Sequence, residues 1–148
     1  MRITYKGDYA LKAVLDLSIN YGNGVVTIQE MARRLDIPTK FLEQILLDLK
    51  RGGFVESRRG KIGGYLLARS PETIRVGEVI RFIDGSIEPI ACANLDKKYT
   101  GCVDVHRCVF KKLWQGVARA TADIVDNTTF QDLAKEYKLK SQAINYTI

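Results

Sequence analysis

The stretch that decides the fold spans residues 27–69 and reads TIQEMARRLDIPTKFLEQILLDLKRGGFVESRRGKIGGYLLAR. Thr27 is a favourable N-cap, and Glu30 three residues later completes a capping box, so a helix is expected to start at residue 28. Pro38 ends this helix because it disfavours helical geometry in the preceding residue. Thr39 is expected to cap a second helix, which the glycine pair after residue 51 terminates.

Two helices joined by so short a turn are typical of a helix-turn-helix. Residues 54–58 and 65–69 have strand-like composition and flank a basic, glycine-rich tip, which predicts a β-hairpin. A helix-turn-helix followed at once by a basic hairpin is a winged helix, whose second helix enters the major groove of DNA and whose wing reaches the adjacent minor groove. The fold class we expect is therefore mainly α with a small β-hairpin wing.

The rest of the chain predicts four further helices by periodicity, at residues 9–21, 76–85, 110–126 and 130–138. Thr128 or Thr129 is expected to cap the last of them, and residues 139–148 are expected to be frayed. The apolar side of helix 110–126 has little monomer core left to cover it, so we interpret it as a dimer interface. The alternative is a helix packed back on its own domain.

These elements divide the chain into three predicted parts. Residues 1–85 form a winged helix-turn-helix domain and residues 86–108 a cysteine-rich loop. Residues 109–148 hold a long C-terminal dimerisation helix and a last helix.

The charge of the chain is concentrated in its N-terminal half. The net charge is +6, and residues 1–75 carry 13 Lys and Arg against 8 Asp and Glu. This local excess favours a polyanionic partner, most often nucleic acid, although a solvated basic surface is the alternative. The sequence shows neither an apolar run of membrane-spanning length nor a signal-peptide pattern, so the cytoplasm is the expected location. With one histidine, no phosphate-binding glycine motif and no obvious acid–base pair, an enzyme is not expected.

All three cysteines, Cys92, Cys102 and Cys108, fall within one 17-residue stretch. In the cytoplasm thiols stay reduced, and an odd number of cysteines leaves a disulfide framework incomplete. Clustered cysteines in a polar loop with His106 beside them therefore indicate a metal or redox site.

The chain resembles the Rrf-two-type winged-helix transcription regulators, the IscR- and NsrR-like family of iron–sulfur regulators. The segments that carry the resemblance occur in the same order along nearly the whole chain: DYALKAVLDLS, residues 27–60, GGYLLAR, VGEVIRFIDG, the three-cysteine loop and TTFQDLAK. The resemblance implies a homodimer that binds a palindromic promoter site in double-stranded DNA. It also implies a 2Fe–2S or 4Fe–4S cluster, whose loss or oxidation changes DNA affinity or sequence choice.

The candidate DNA-binding residues lie on the second helix and the wing. Base edges are usually met at the start of a recognition helix, where a carboxylate can accept from the amino group of cytosine. Glu43 suits that role, and the alternative is an exposed helix charge paired to Lys40 or to the following turn. Arginines are attracted to a narrow minor groove. The full set is Thr39, Lys40, Glu43 and Gln44 on the helix and Arg58, Arg59, Gly60 and Lys61 on the wing.

The candidate cluster ligands are the three cysteines and a fourth residue. The resemblance makes Asp8 the first candidate, donated across the dimer, with an ordinary N-cap as the alternative; His106 is the second. The interval between Cys92 and Cys102 is four residues longer than is common in the family, as if residues 96–99 were inserted. Zinc binding, direct thiol redox sensing and control by a partner protein remain alternatives to the iron–sulfur cluster.

Overall fold

The fold is seen in a computed structural model, which describes residues 1–94, 96–102, 104 and 106–146. The elements are α1 (Tyr5–Ile19), α2 (Ile28–Leu35), α3 (Thr39–Arg51), β1 (Val55–Arg58), β2 (Gly64–Leu67), α4 (Val76–Asp84), α5 (Val109–Asn127) and α6 (Phe130–Tyr146), with short 3-10 turns at Pro71–Thr73 and Ala91–Ala93. None of the described helices combines the length and apolar character needed to cross a membrane.

Helix α1 begins four residues before the predicted start. The hydroxyl of Thr4 accepts a hydrogen bond from the backbone N–H of Gly7 at 3.0 Å and so caps the helix. The same threonine donates from its backbone N–H and its hydroxyl to Asp84, at the end of α4. Asp8 therefore lies in the first turn, and its alternative interpretation as an N-cap is wrong.

The helix-turn-helix forms largely as predicted. Thr27 and Glu30 form the expected capping box at the start of α2. Asp36 adopts a left-handed conformation, with φ of 53°, and turns the chain toward α3. One detail is wrong: Thr39 is the first residue of α3, and the cap position belongs to Pro38, which has no side chain that could accept a hydrogen bond.

One side of α3 is fully buried and forms the centre of the core. Leu42, Ile45, Leu46 and Leu49 pack in one cluster with residues of α1 and α2. Removal of each such side chain from water contributes roughly 2 kcal/mol, which fixes the rotation of α3 about its axis. The buried face in turn determines which residues of α3 face solvent.

The wing is an antiparallel hairpin in which Val55 pairs with Leu67 and Arg58 with Gly64. Tyr65 also forms a bridge to Val26, which joins the hairpin to the segment before α2. A side chain at Gly64 would stand 2.5 Å from the carbonyl oxygen of Val26, so this close approach requires glycine. The hairpin is thus fixed to the body of the domain at its base.

The C-terminal half differs from the prediction in the length of its last helix. Thr129 caps α6, since its hydroxyl accepts from the backbone N–H of Asp132 at 3.1 Å. The helix then continues through Tyr146, where the sequence had predicted a helix ending near residue 138 and a frayed tail; residues 147–148 lie outside the described residues. No Gly or Pro interrupts residues 130–146, and Glu136 pairs with Lys140 one turn later.

The core extends into the first turn of α6. Phe130 is fully buried in the same cluster as the buried face of α3. Helix α6 therefore packs on the winged helix, close to α1.

Candidate functional site

The four candidate residues on α3 share one exposed face. Thr39, Lys40, Glu43 and Gln44 all lie on the solvent side, opposite the buried leucines. Within the part of the chain that the structure describes, Glu43 forms no ion pair, so the alternative of a pair with Lys40 is not observed. The face presents hydroxyl, ammonium, carboxylate and amide groups, which are the groups that read base edges.

Two ion pairs hold the helix-turn-helix against α1. The ammonium of Lys6 donates to Asp48 of α3 at 2.6 Å, and this hydrogen bond lowers the pKa of the Asp48 carboxyl. The guanidinium of Arg34 on α2 donates two hydrogen bonds, of 2.9 and 2.7 Å, to the buried carboxylate of Asp16. Such a bidentate pair fixes orientation as well as distance, so it orients α2 against α1.

The wing presents its basic residues without internal partners. Arg58, Arg59, Gly60 and Lys61 are exposed, and no salt bridge or hydrogen bond to their side chains exists among the described residues. Arg58 also lines a cavity of about 390 Å³ between the end of α1 and the hairpin, whereas Arg59 lies at the tip. The ammonium of Lys50 donates to Ser57 at 2.6 Å and joins α3 to β1.

An exposed aromatic patch beside α3 was missed by the sequence interpretation. Tyr5 is 81% exposed, Tyr9 lies between it and Phe41, and the ring centroids of Tyr9 and Phe41 are 5.7 Å apart in an edge-on arrangement. Lys40 and Gln44 line the same surface cavity as these rings. Phe41 follows the apolar periodicity of α3, so only its exposed position in the tertiary structure distinguishes it from the core residues.

The three cysteines line one cavity. It has a volume of about 400 Å³, and its wall includes Tyr99 and Trp114. We call it the cysteine pocket, with Cys92, Cys102 and Cys108 as its thiols. Cys92 lies half-buried in the 3-10 turn, whereas Cys102 and Cys108 are exposed, and all three are free. The loop expected at residues 86–108 therefore contains one short 3-10 turn.

The chemistry of these thiols fits an iron–sulfur cluster, for which cysteine thiolates are the usual ligands. In the described residues, no three His, Cys, Asp or Glu side chains lie close enough together to hold a metal ion. The structure therefore brings the three donors to one cavity and does not arrange them as a closed ligand set.

The two candidates for a fourth ligand lie elsewhere. His106 lines a neighbouring cavity together with Cys92. Asp8 lies on α1, where it forms an ion pair with Lys12 at 2.6 Å, and it lines a separate cavity with residues 2–5. A single chain thus does not bring Asp8 to the cysteines.

Helix α5 has an exposed apolar side. Ala118 is the one described residue of α5 that is fully buried. The helix is anchored at its C-terminal end, where the guanidinium of Arg81 on α4 donates two hydrogen bonds to Asp126, at 2.6 and 2.9 Å. The exposed apolar side chains are Val109, Phe110, Leu113, Val117 and Ile124.

Comparison with known proteins agrees with this architecture. Residues 3–136 match the Rrf2 family, described as an iron-dependent transcriptional regulator. The chain is 33% identical over 139 residues to the HTH-type transcriptional regulator IscR of Erwinia tasmaniensis, and the match covers 94% of this chain and 82% of that protein.

Two solved structures have the same fold. CymR, the global cysteine regulator of B. subtilis, matches with a TM-score of 0.77 and 29% identity over 92% of this chain and 98% of its own. IscR of T. potens matches with a TM-score of 0.73 and 30% identity over 93% of this chain and 88% of its own. The predicted winged helix is confirmed, and so is the expectation that the protein is not an enzyme. The chain belongs to the Rrf2 family of winged helix-turn-helix transcriptional regulators.

Proposed function

We propose that this DNA-binding regulator is controlled by an iron–sulfur cluster held by Cys92, Cys102 and Cys108. The observation that carries the proposal is that all three thiols line one cavity, directly before α5, in a chain with a winged helix. When bound, the cluster supplies a centre that is sensitive to oxidation and to loss of ligands.

The DNA-reading surface in this proposal is the exposed side of α3 together with the wing. Thr39, Lys40, Glu43 and Gln44 meet base edges in the major groove, while Arg58, Arg59, Gly60 and Lys61 follow the adjacent minor groove. Two copies of the chain form a homodimer through the exposed apolar side of α5 and bind a palindromic promoter site, since such symmetry in the protein requires matching half-sites.

The route from the thiols to the DNA passes through α5. Cys108 directly precedes Val109, the first residue of the helix, and Asp126 near its end is fixed to α4 through Arg81. A change in the bonds of the Cys108 thiol acts on the start of a helix whose far end is anchored to the winged helix. The consequence is an altered spacing of the two recognition helices.

The fourth ligand in this proposal is Asp8 of a second copy of the chain, or His106 of the same chain. Asp8 is half-buried on α1, and in one chain it pairs only with Lys12. Asp8→Ala and His106→Ala should therefore differ in cluster content, because only the true ligand is required to retain iron.

The test is to purify the protein without oxygen and measure visible absorbance, iron, acid-labile sulfide and affinity for promoter DNA. We expect iron and sulfide in the purified protein, and a change in DNA affinity when they are removed. Cys102→Ser should lose both the iron and that change, while keeping the thermal stability of the parent from which the cluster has been removed. Iron-free protein that holds zinc, or removal of iron without any effect on DNA binding, would refute cluster control.

A second candidate is a regulator without a cluster, controlled by thiol redox state, zinc or a partner protein. The free and exposed thiols of Cys102 and Cys108 favour direct oxidation. In this case iron-free protein would bind DNA fully when reduced and lose affinity after treatment with peroxide.

A further inference from the structure

A second cavity adjoins the cysteine pocket and has a different chemistry. Its volume is about 510 Å³, and three lysines and one histidine line it. Lys97 and Lys98 come from the long interval between the first two cysteines, and Lys111 comes from the first turn of α5. We call it the lysine pocket, with Lys97, Lys98, Lys111 and His106 as its basic residues.

Among the residues that the structure describes, none of those that line the lysine pocket is acidic. None of its three lysine ammonium groups forms a salt bridge with a described residue. Glu88 and Asp104 lie outside this wall. Glu88 accepts from the hydroxyl of Ser86 and the amide of Asn94, and its pKa is lowered chiefly by the Ser86 hydrogen bond and further by the charges of Arg81 and Lys97. Asp104 lies 4.0 Å from Arg107. Three positive charges thus line one concave surface, and the carboxylate that acts on Lys97 is not part of its wall.

The lysine ammonium groups repel each other, and an anion bound between them adds attractions that offset this repulsion. The wall also offers the amide group of Gln115 and the hydroxyl of Thr100, which can donate hydrogen bonds to oxygen atoms, whereas the amide of Asn94 already donates to Glu88. A volume of this order is within the range of pockets that hold small organic ligands. The donors are all of the kind that carboxylate and phosphate oxygens accept.

We propose that the lysine pocket binds a small organic anion that carries two or more carboxylate or phosphate groups. Lys97, Lys98 and Lys111 hold its charges, and Gln115 orients it. The site is formed by one chain, and no part of its recognition requires DNA, a cluster or a second copy.

The lysine pocket adjoins the cysteine pocket, so a bound anion can affect the cysteines. Cys92, Tyr99 and Lys111 line both this pocket and the cysteine pocket, so the two cavities share a wall. An anion that orders this wall changes the state of the thiol loop, and by reciprocity the state of the thiols changes the affinity for the anion. Anion binding in the lysine pocket is thus a second way to control the regulator, in addition to the chemistry of the cysteines.

The experiment is isothermal titration calorimetry of the full chain, purified without oxygen and free of DNA, with citrate and with pyrophosphate as probes. Ionic strength is held constant with potassium chloride, and sucrose serves as an uncharged probe. We expect saturable binding of at least one of the two anions and none of sucrose. Citrate alone identifies a carboxylate ligand, pyrophosphate alone identifies a phosphate ligand, and binding of both identifies recognition of charge.

Site-directed variants locate the binding. Lys97→Gln with Lys98→Gln should weaken anion binding about fourfold, since each exposed charge contributes about a factor of two. The matched control is Lys135→Gln with Lys138→Gln on α6, which removes the same charge from exposed positions outside the pocket and should leave the affinity unchanged. Both pairs should keep the helical circular dichroism of the parent, because none of these side chains is buried.

Several outcomes would overturn the inference. One is the absence of saturable binding for both anions, and another is an equal loss of affinity in the control pair. A third is that Lys97→Gln with Lys98→Gln leaves anion binding unchanged and, in a separate DNA titration, lowers the salt dependence of DNA binding. That result would assign these lysines to DNA phosphates. Because the titration contains no DNA and measures no cluster, its failure leaves the proposed function untouched.

Discussion

Replacing Arg59 with alanine removes a positive charge from the tip of the wing and little else. The side chain is exposed and has no partner among the described residues, so the free energy of unfolding should change by less than about 0.5 kcal/mol. Each phosphate that the protein neutralises adds about 0.9 to the slope of log affinity against log salt. The proposed dimer carries two wings, and the slope should therefore fall by about 1.8.

The difference in slope becomes large over an accessible range of salt. Between about 50 and 200 mM salt, a slope change of this size alters the relative affinity of parent and variant by roughly tenfold. Fluorescence anisotropy with labelled duplexes, one with and one without the promoter site, measures both slopes. Both should fall together, because phosphate contacts do not depend on base sequence.

The matched control is Lys138→Ala, which removes one charge from the exposed surface of α6. It should leave the slope near the value of the parent. An unchanged slope in Arg59→Ala, or an equal decrease in the Lys138 variant, would refute a DNA contact by the wing tip.

Four further predictions concern other parts of the molecule. Replacing Glu43 with alanine should spare non-specific affinity and cost about 1–3 kcal/mol of discrimination at one base pair of each half-site, measured by competition with mutated duplexes; unchanged discrimination would exclude Glu43 as a reader. Asp16→Asn should lower the unfolding free energy by about 2 kcal/mol in urea denaturation, because the buried carboxylate accepts two hydrogen bonds from Arg34; a change within experimental error would contradict this. The hydroxyl of Thr27 donates to Glu30 and lowers the pKa of its carboxyl. The stability that the ionised Glu30 contributes is therefore complete above the ordinary glutamate pKa of about 4.3 and is lost as pH falls through the lower folded value. Denaturation at several pH values would measure this loss. Leu113→Asp, at a position on α5 that is 54% exposed, should yield monomers of 16.7 kDa by light scattering with unchanged helix content, and a persistent dimer would move the interface elsewhere.

Local chemistry was sufficient to predict the helix-turn-helix and the wing. The capping box of Thr27 and Glu30 involves residues three apart, and the break at Pro38 is a property of one peptide unit. The spacing of apolar residues in α3 already indicated which side is buried, and the exposed position of Glu43 follows from it. The exposed position of Arg59 follows from the basic, glycine-rich tip between the two strand-like runs. These are short-range effects, which is why the sequence expresses them directly.

Two of the differences between prediction and structure, at the start of α1 and at the aromatic patch, occur where distant residues decide the structure. The start of α1 depends on Thr4, whose polar groups are held by Asp84, 80 residues away in the chain. The aromatic patch was missed because Phe41 obeys the periodicity of a core residue, and only the placement of α1 leaves it exposed. Neither effect leaves a signal within a window of one helix.

For the cysteines, the sequence and the tertiary structure determine different features. The sequence by itself determined that three thiols lie in one short stretch, before a helix with an apolar side, in a chain with a winged helix-turn-helix. Only the tertiary structure decided that the three thiols line one cavity, that Lys111 of α5 joins Lys97 and Lys98 beside it, and that Asp8 lies apart. The physical reason is that caps, turns and periodicity depend on neighbours in the chain, whereas the wall of a cavity depends on how separate segments pack.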